Sequence, residues 1–215
     1  HAKDLARIDR YKLLSGAVVP RPIAFVSTVS TEGLPNLAPY SHYNALGADP
    51  MTLTFAPANN EDGSEKDTLR NCKPVSEGGT GEFVVNVAVA SYIREVSAAA
   101  EMLERGVSEF ELVGLTAAES SVVKAPRVKE SPISFECTTL QVVRTNGNAP
   151  GGGNLVIGEV LAIHIEDDLL VNDRNHVDPA RLDAIGRMSG LAYCTTRDRF
   201  DLVRGRDALG VDDPV

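Results

Sequence analysis

Two short stretches of this chain gather side chains able to meet a polar ligand. Asn36-Leu37-Ala38-Pro39-Tyr40-Ser41-His42-Tyr43-Asn44 sets amides and hydroxyls at close spacing on a predicted strand end and loop, suited to the edge of a heteroatom-rich ring. Ser64-Glu65-Lys66-Asp67-Thr68, with Arg70, reads as the start of a helix, where unpaired N–H groups and the positive dipole end favour an anion. Lys66 would add a point charge, Thr68 a hydroxyl and Arg70 a bidentate fork. Taken singly, each stretch has a plainer reading. The first is an Asn- and Ser-rich turn satisfying its own backbone, and the second a solvated helix start of mixed charge.

Other chemistry finds little support. The patterns GxSxG, GxxxxGK[ST] and HExxH do not occur, and Gly151-Gly152-Gly153 does not extend to GxGxxG. His1, His42, His164 and His176 are not at metal-ligand spacing and no cysteine adjoins them, so no metal site is expected. His164, within a predicted strand, reads as a hydrogen-bonded core or interface residue. Cys72, Cys137 and Cys194 are far apart and odd in number, which fits small buried thiols in a reducing cytoplasm better than a disulfide framework. A formal charge of -9 disfavours nucleic acid and anionic membrane surfaces. No apolar run nears the roughly 20 residues that cross a bilayer, and the stretch from His1 lacks the apolar run of a signal peptide.

The elements that must position these residues are mostly strands. Pro22 to Val29, Leu34 to Ser41, Met51 to Phe55, Glu82 to Ala88, Ile133 to Val143 and Asn154 to Ile165 are rich in β-branched and aromatic residues between turn signals. Thr145 to Asn154, with Pro150 and three glycines, is a mobile or sharply turning loop. Three helices are expected. One opens at a capping box, Ser64 to Asp67, and runs towards Cys72. Another spans Ser91 to Leu103, with Tyr92, Val96, Ala99, Ala100 and Leu103 on one face. The third starts at Asp178-Pro179 and runs towards Arg187. Many strands at short spacing with few helices suggest one barrel domain over residues 1–215 rather than βαβ units. Its core spans about 11–193, followed by a C-terminal tail, 194–215.

Several ordered segments resemble the flavin reductase-like, FMN-binding split-barrel family. They are Arg21-Pro22-Ile23-Ala24-Phe25-Val26-Ser27-Thr28, the Asn36–Asn44 stretch, Lys66-Asp67-Thr68 and Glu82-Phe83-Val84-Val85-Asn86. They continue in Phe110 to Thr116, Pro126-Arg127-Val128, Ser131 to Cys137, Gly158-Glu159-Val160 with His164, and Gly186-Arg187-Met188-Ser189-Gly190 with Tyr193. The likeness covers about Tyr11 to Tyr193 and looks closest to the flavoredoxin-like branch.

This resemblance implies a mainly β fold, a Greek-key split barrel that forms a homodimer with non-covalent FMN near the dimer interface. Ser27, Thr28, Val29 and Asn36 would then lie beside the isoalloxazine ring. Ala38, Ser41, Tyr43 and Asn44 would meet the ring edge, ribityl chain or phosphate, and Lys66, Asp67 and Thr68 would meet the phosphate. Arg187 and Tyr193 would sit near the open flavin face, from the same subunit or its partner. The implied activity is an NAD(P)H-dependent flavin oxidoreductase passing hydride from a nicotinamide to FMN, serving a flavin-dependent oxygenase or another acceptor. Arg187, Tyr193 and the Pro150–Gly153 loop are the candidate nicotinamide contacts. An FMN electron carrier reduced by a partner protein is the alternative, and a pocket for another phosphorylated ligand, without redox chemistry, is a third.

Overall fold

The structure is a computed structural model and describes residues 1–104, 107–171 and 175–210. Its main sheet is built from β1 (Ala24–Val29), β2 (Pro35–Tyr40), β3 (Tyr43–Ala48), β4 (Met51–Phe55), β5 (Glu82–Val87), β8 (Ile133–Arg144) and β9 (Asn154–Ile165). The order is β2-β1-β5-β8-β9-β4-β3, with every neighbouring pair antiparallel. Short pairs stand outside it: β6 (Ala117–Ala118) with β7 (Arg127–Val128), β10 (Leu170–Val171) with β11 (His176–Val177), and β12 (Ile185–Arg187) with β13 (Tyr193–Thr195). Pro35 and Pro39, which donate no ladder hydrogen bond, fall on β2 at the sheet edge, where that loss is tolerated.

The sheet curls on itself. Val26 of β1, Phe55 of β4, Phe83 of β5, Cys137 of β8 and Val156 of β9 share one buried cluster, although three strands separate β1 from β4 in the order. Phe55 lies edge-on to Phe83, with ring centroids 5.1 Å apart. The opposite face of β1 is also covered. Phe25 packs with Leu37, Tyr92, Val96, Phe110, Val128 and Ile185, which is why all six β1 residues are buried. This doubly covered strand and its neighbour β2 form the rigid floor of the site.

All six expected strands match within two residues at each end, and Met51–Phe55 and Asn154–Ile165 match outright. β3 was not expected; its exposed side chains and Gly47 give no alternation to read. The helices differ more. α1 (Arg7–Ala17) buries only Ser15, so its apolar residues form no periodic face, and it has no counterpart in the expectations. α2 (Asp67–Cys72) begins at Lys66 without a side-chain cap. The expected capping box fails because Asp62 captures Ser64, whose hydroxyl and amide both donate to Asp62 Oδ1 at 2.6 and 2.9 Å.

α3 (Ile93–Ala98) buries Val96 with Tyr92 and Ala99 beside it, but stops before the exposed Ala100. α4 (Glu109–Val113) starts at Ser108, whose hydroxyl accepts from the Phe110 amide. In α5 (Pro179–Leu182) Asp178 caps as expected, accepting from Ala180 N at 2.8 Å. The helix ends at Asp183, with φ of 47°, so Arg187 lies in β12 rather than in helix. The Thr145–Asn154 connection turns sharply and is pinned, since Asn59 Nδ2 donates to the Gly147 and Ala149 carbonyls at 2.8 and 3.0 Å.

Candidate functional site

α2 packs on β1 and β2 and brings the two sequence stretches together. Asn36 Nδ2 donates to Thr68 Oγ1 at 2.9 Å and to Thr28 Oγ1 at 3.3 Å, while Asn71 Nδ2 donates to Thr28 Oγ1 at 3.1 Å. Thr28 is therefore a buried hub that sets the Asn36 amide, and Asn36 itself reaches the surface of a cleft of about 470 Å³. Ala38, Pro39, Tyr40, Lys66, Asp67 and Thr68 line the same cleft. Burial pushes the Tyr40 phenol well above its usual range, against a hydrogen bond with Thr68, so it stays a hydroxyl.

Pro39, Tyr40 and Lys66 are shared with a second hollow of about 620 Å³, lined further by Arg7, Arg10, Tyr11, Ser41, His42, Thr145 and the Pro150–Gly153 turn. A third, of about 510 Å³, holds Ser41, Tyr43 and Asn44 against Leu14, Pro20 and Thr54. Burial raises the Tyr43 phenol to about 12. Volumes of this order suit a cofactor-sized ligand. Nine of the predicted residues, Asn36, Ala38, Ser41, Tyr43, Asn44, Lys66, Asp67, Thr68 and (through Asn36) Thr28, thus converge on three adjoining hollows.

The remaining four stand elsewhere in the protomer. Ser27 is fully buried and hydrogen-bonded to the Pro126 carbonyl and to Asn86 Nδ2, and Val29 is buried; neither lines these hollows. Arg187 stacks over the Tyr193 ring, 4.5 Å from its centroid, and donates to the Ala192 and Gly190 carbonyls. Tyr193 donates to Ser97 Oγ at 3.1 Å and borders a separate hollow with Ile93, Ile185 and Cys194.

Three contributors were missed. Buried Arg21 donates to Ser41 Oγ (3.1 Å) and to the carbonyls of Ser15, Val18 and Met188, clamping α1 and the C-terminal segment against the site. Glu109 lines the first cleft and accepts from Leu37 N at 2.8 Å. Burial holds its carboxyl above the usual range; the Leu37 amide opposes this, and the charge of Asp67 adds to it. The spacing Ser108 to Glu111, another capping-box pattern, could have marked α4 and with it Glu109. Arg10 carries no such signal, because α1 shows no periodic face. Cys72 and Cys137 are buried thiols that burial pushes well up, and all three cysteines are free. Among the described residues no His, Cys, Asp or Glu cluster could hold a metal ion, and no helix is long and apolar enough to cross a membrane.

Comparison with known proteins gives this architecture its class. Component B of nitrilotriacetate monooxygenase from Bacillus cereus superposes with a TM-score of 0.85 at 34% identity, covering 94% of this chain and 96% of that one. The 2-nitrobenzoate 2-nitroreductase NbaA of Pseudomonas fluorescens gives 0.80 at 30%, covering 95% and 94%. Flavoredoxin of Desulfovibrio vulgaris shares the fold at a TM-score of 0.71 and 18% identity, over 88% and 94% of the two chains. The molecule is a flavin reductase-like split barrel of the mainly β class. The flavin reductase like domain matches residues 15–181, and the chain belongs to that family.

Proposed function

We propose that the protein binds FMN non-covalently and acts as an NAD(P)H-dependent flavin oxidoreductase. The observation that carries this reading is the junction at Pro39, Tyr40 and Lys66, where an apolar wall, a fixed amide and an unpaired cation meet in adjoining hollows. The donor set fits the three parts of the cofactor: apolar surface for the ring, hydrogen-bond donors for its edge, and a cation for its phosphate. FMN, when bound, would supply the redox chemistry of hydride acceptance, and the chain's groups would hold it.

The protein's own groups bind and orient. Asn36, whose two N–H bonds are taken by Thr28 and Thr68, keeps its Oδ1 to accept from the ring's own N–H, and the protonated Tyr40 hydroxyl is the donor to that edge. Ala38 and Pro39 exclude water from one side of the ring. Ser41, Tyr43 and Asn44 extend the polar path along the ribityl chain, and Lys66, Asp67 and Thr68 form the phosphate end. Arg187 and Tyr193 do not line these hollows within one protomer, so we assign them to the flavin site of the partner in a homodimer. Leu140, Leu161 and Ile163, half-exposed on β8 and β9, supply apolar surface for that pairing. Three free cysteines suit a cytoplasmic setting. The name of the Bacillus cereus relative, a monooxygenase component, supports a flavin-dependent oxygenase as acceptor.

Titration of the purified protein with FMN, followed by gel filtration, tests the reading. Stoichiometric FMN retained with the protein is expected. A protein that retains none contradicts it.

A further inference from the structure

The hollows that meet at Lys66 differ sharply in charge. The 470 Å³ cleft sets Glu61, Asp62, Asp67, Glu101 and Glu109 around a single cation, Lys66. The 620 Å³ hollow on the other side is lined by Arg7, Arg10 and Lys66 and by no carboxylate. On a chain of net charge -9 this concentration of cations is unexpected. Most cations around the site are already engaged: Arg70 with Asp67, Lys73 with Glu65, and Arg144 with Glu65 and Glu77. Arg7 is held by Glu61 in two contacts of 2.5 and 3.2 Å. Arg10 and Lys66 are different. Neither side chain makes a hydrogen bond or ion pair among the described residues, yet one from α1 and one from the start of α2 line the same hollow.

The rest of the lining suits an anion. Tyr11, Ser41 and Thr145 bring hydroxyls, and the glycine turn brings main chain close. A Cβ on Gly151, which has φ of 68°, would come within 2.7 Å of Arg7 Nη1, so helix and turn are in close contact there. Two unpaired cations lining one hollow carry an electrostatic cost that a bound dianion relieves, through charge-assisted contacts.

We propose that Arg10, which lines this hollow together with Lys66, holds the phosphate of a bound nucleotide. The inference deepens the flavin reading and rests on it for the nucleotide's identity. It directs the phosphate past the start of α2 towards α1, away from Glu61, Asp62, Glu101 and Glu109 of the neighbouring cleft. The phosphate monoester of FMN and the phosphates of a nicotinamide dinucleotide share the required chemistry.

Arg10→Ala and Arg10→Lys separate these sources, since Arg10 is exposed and its replacement leaves the core intact. Affinities of each variant and of the parent protein would be measured for FMN, riboflavin, NADP⁺ and inorganic pyrophosphate, with thermal melts checking the fold. The expected result is FMN affinity reduced about 10- to 100-fold in Arg10→Ala, partly restored in Arg10→Lys, and riboflavin affinity unchanged. Unchanged FMN binding with weakened NADP⁺ binding also supports the site and assigns it to the donor nucleotide. Equal loss of FMN and riboflavin affinity, or no change for FMN, NADP⁺ and pyrophosphate, overturns the proposal. If the parent protein binds no flavin but binds pyrophosphate, and Arg10→Ala abolishes that binding, the flavin reading fails while the phosphate site stands. A parent protein that binds none of the four overturns both.

Discussion

At the scale of single residues, the site depends on side chains fixed by others. Thr28 accepts from both Asn36 and Asn71, so the Asn36 amide keeps one orientation without contributing rotamer entropy on binding. Lys66 differs, being a charge with no hydrogen bond or ion pair among the described residues, free to meet a phosphate. Lys66→Ala should therefore weaken FMN binding by about 1–3 kcal/mol, the usual worth of a charge-assisted contact, and leave folding alone; FMN titration and a melt check both halves. Tyr193→Ala should remove the ring beneath Arg187, leave FMN content unchanged and slow reduction by nicotinamide in stopped-flow. Loss of flavin and rate together would place Tyr193 in the cofactor pocket itself. Lys66, Asn36 and Ser41 were legible in the sequence because their residue types suit a ligand and lie in recognisable segments. Arg10 and Arg21 were not, since a lone arginine in an unpatterned stretch does not declare what it will face.

At the scale of elements, β8 and β9 carry the load. Glu136 on β8 is fully buried, yet its oxygens accept from Ser121 N and Val122 N at 2.7 Å each, and from His164 Nε2 on β9 at 2.5 Å. His164 thus joins a hydrogen-bonded cluster that fastens the segment around Ser121 to the sheet. Burial disfavours the Glu136 charge, but the Ser121 and Val122 amides, with His164 and the Ser121 hydroxyl, outweigh it and hold the carboxyl below its usual range. A folded value below the unfolded one gives stability that is present above the unfolded value and lost as pH falls through the folded one. Melting temperature should accordingly drop on acidification below the ordinary carboxylate range. Glu136→Gln, which sets an amide donor against backbone donors, should cost about 1–3 kcal/mol near neutral pH and flatten that acid limb.

Gly158 on β9 makes a second test at this scale. A Cβ there would approach Phe83 to within 2.4 Å, so Gly158→Ala should destabilise by about 1–3 kcal/mol through overpacking, read from a denaturant midpoint. The strands were readable because β-branched runs such as Phe83-Val84-Val85 carry their preference locally. The helices were less so. α2 and α5 are set by competing contacts, Asp62 with Ser64 and the left-handed turn at Asp183, that arise only when the chain folds.

At the scale of the whole molecule, the barrel buries both faces of β1 but leaves Leu140, Leu161 and Ile163 partly exposed on its outer side. Exposed apolar surface of this kind is characteristic of an interface. If the proposed homodimer pairs through this surface, Leu161→Glu should lower the mass seen in light scattering to that of a monomer and, if Tyr193 serves the partner's site, slow reduction without altering the fold. The charge balance agrees with the proposed anion site: on a chain of net charge -9, Arg10 and Lys66 line one hollow without a partner among the described residues. The proposed flavin oxidoreduction is tested by the absorbance of the FMN-loaded protein under anaerobic conditions after addition of NADH and, separately, NADPH. Bleaching of the flavin bands by either nucleotide is the predicted result. Bands that persist with both, but bleach on addition of a reduced partner protein or dithionite, would contradict the nicotinamide-dependent reading and make the protein an electron carrier.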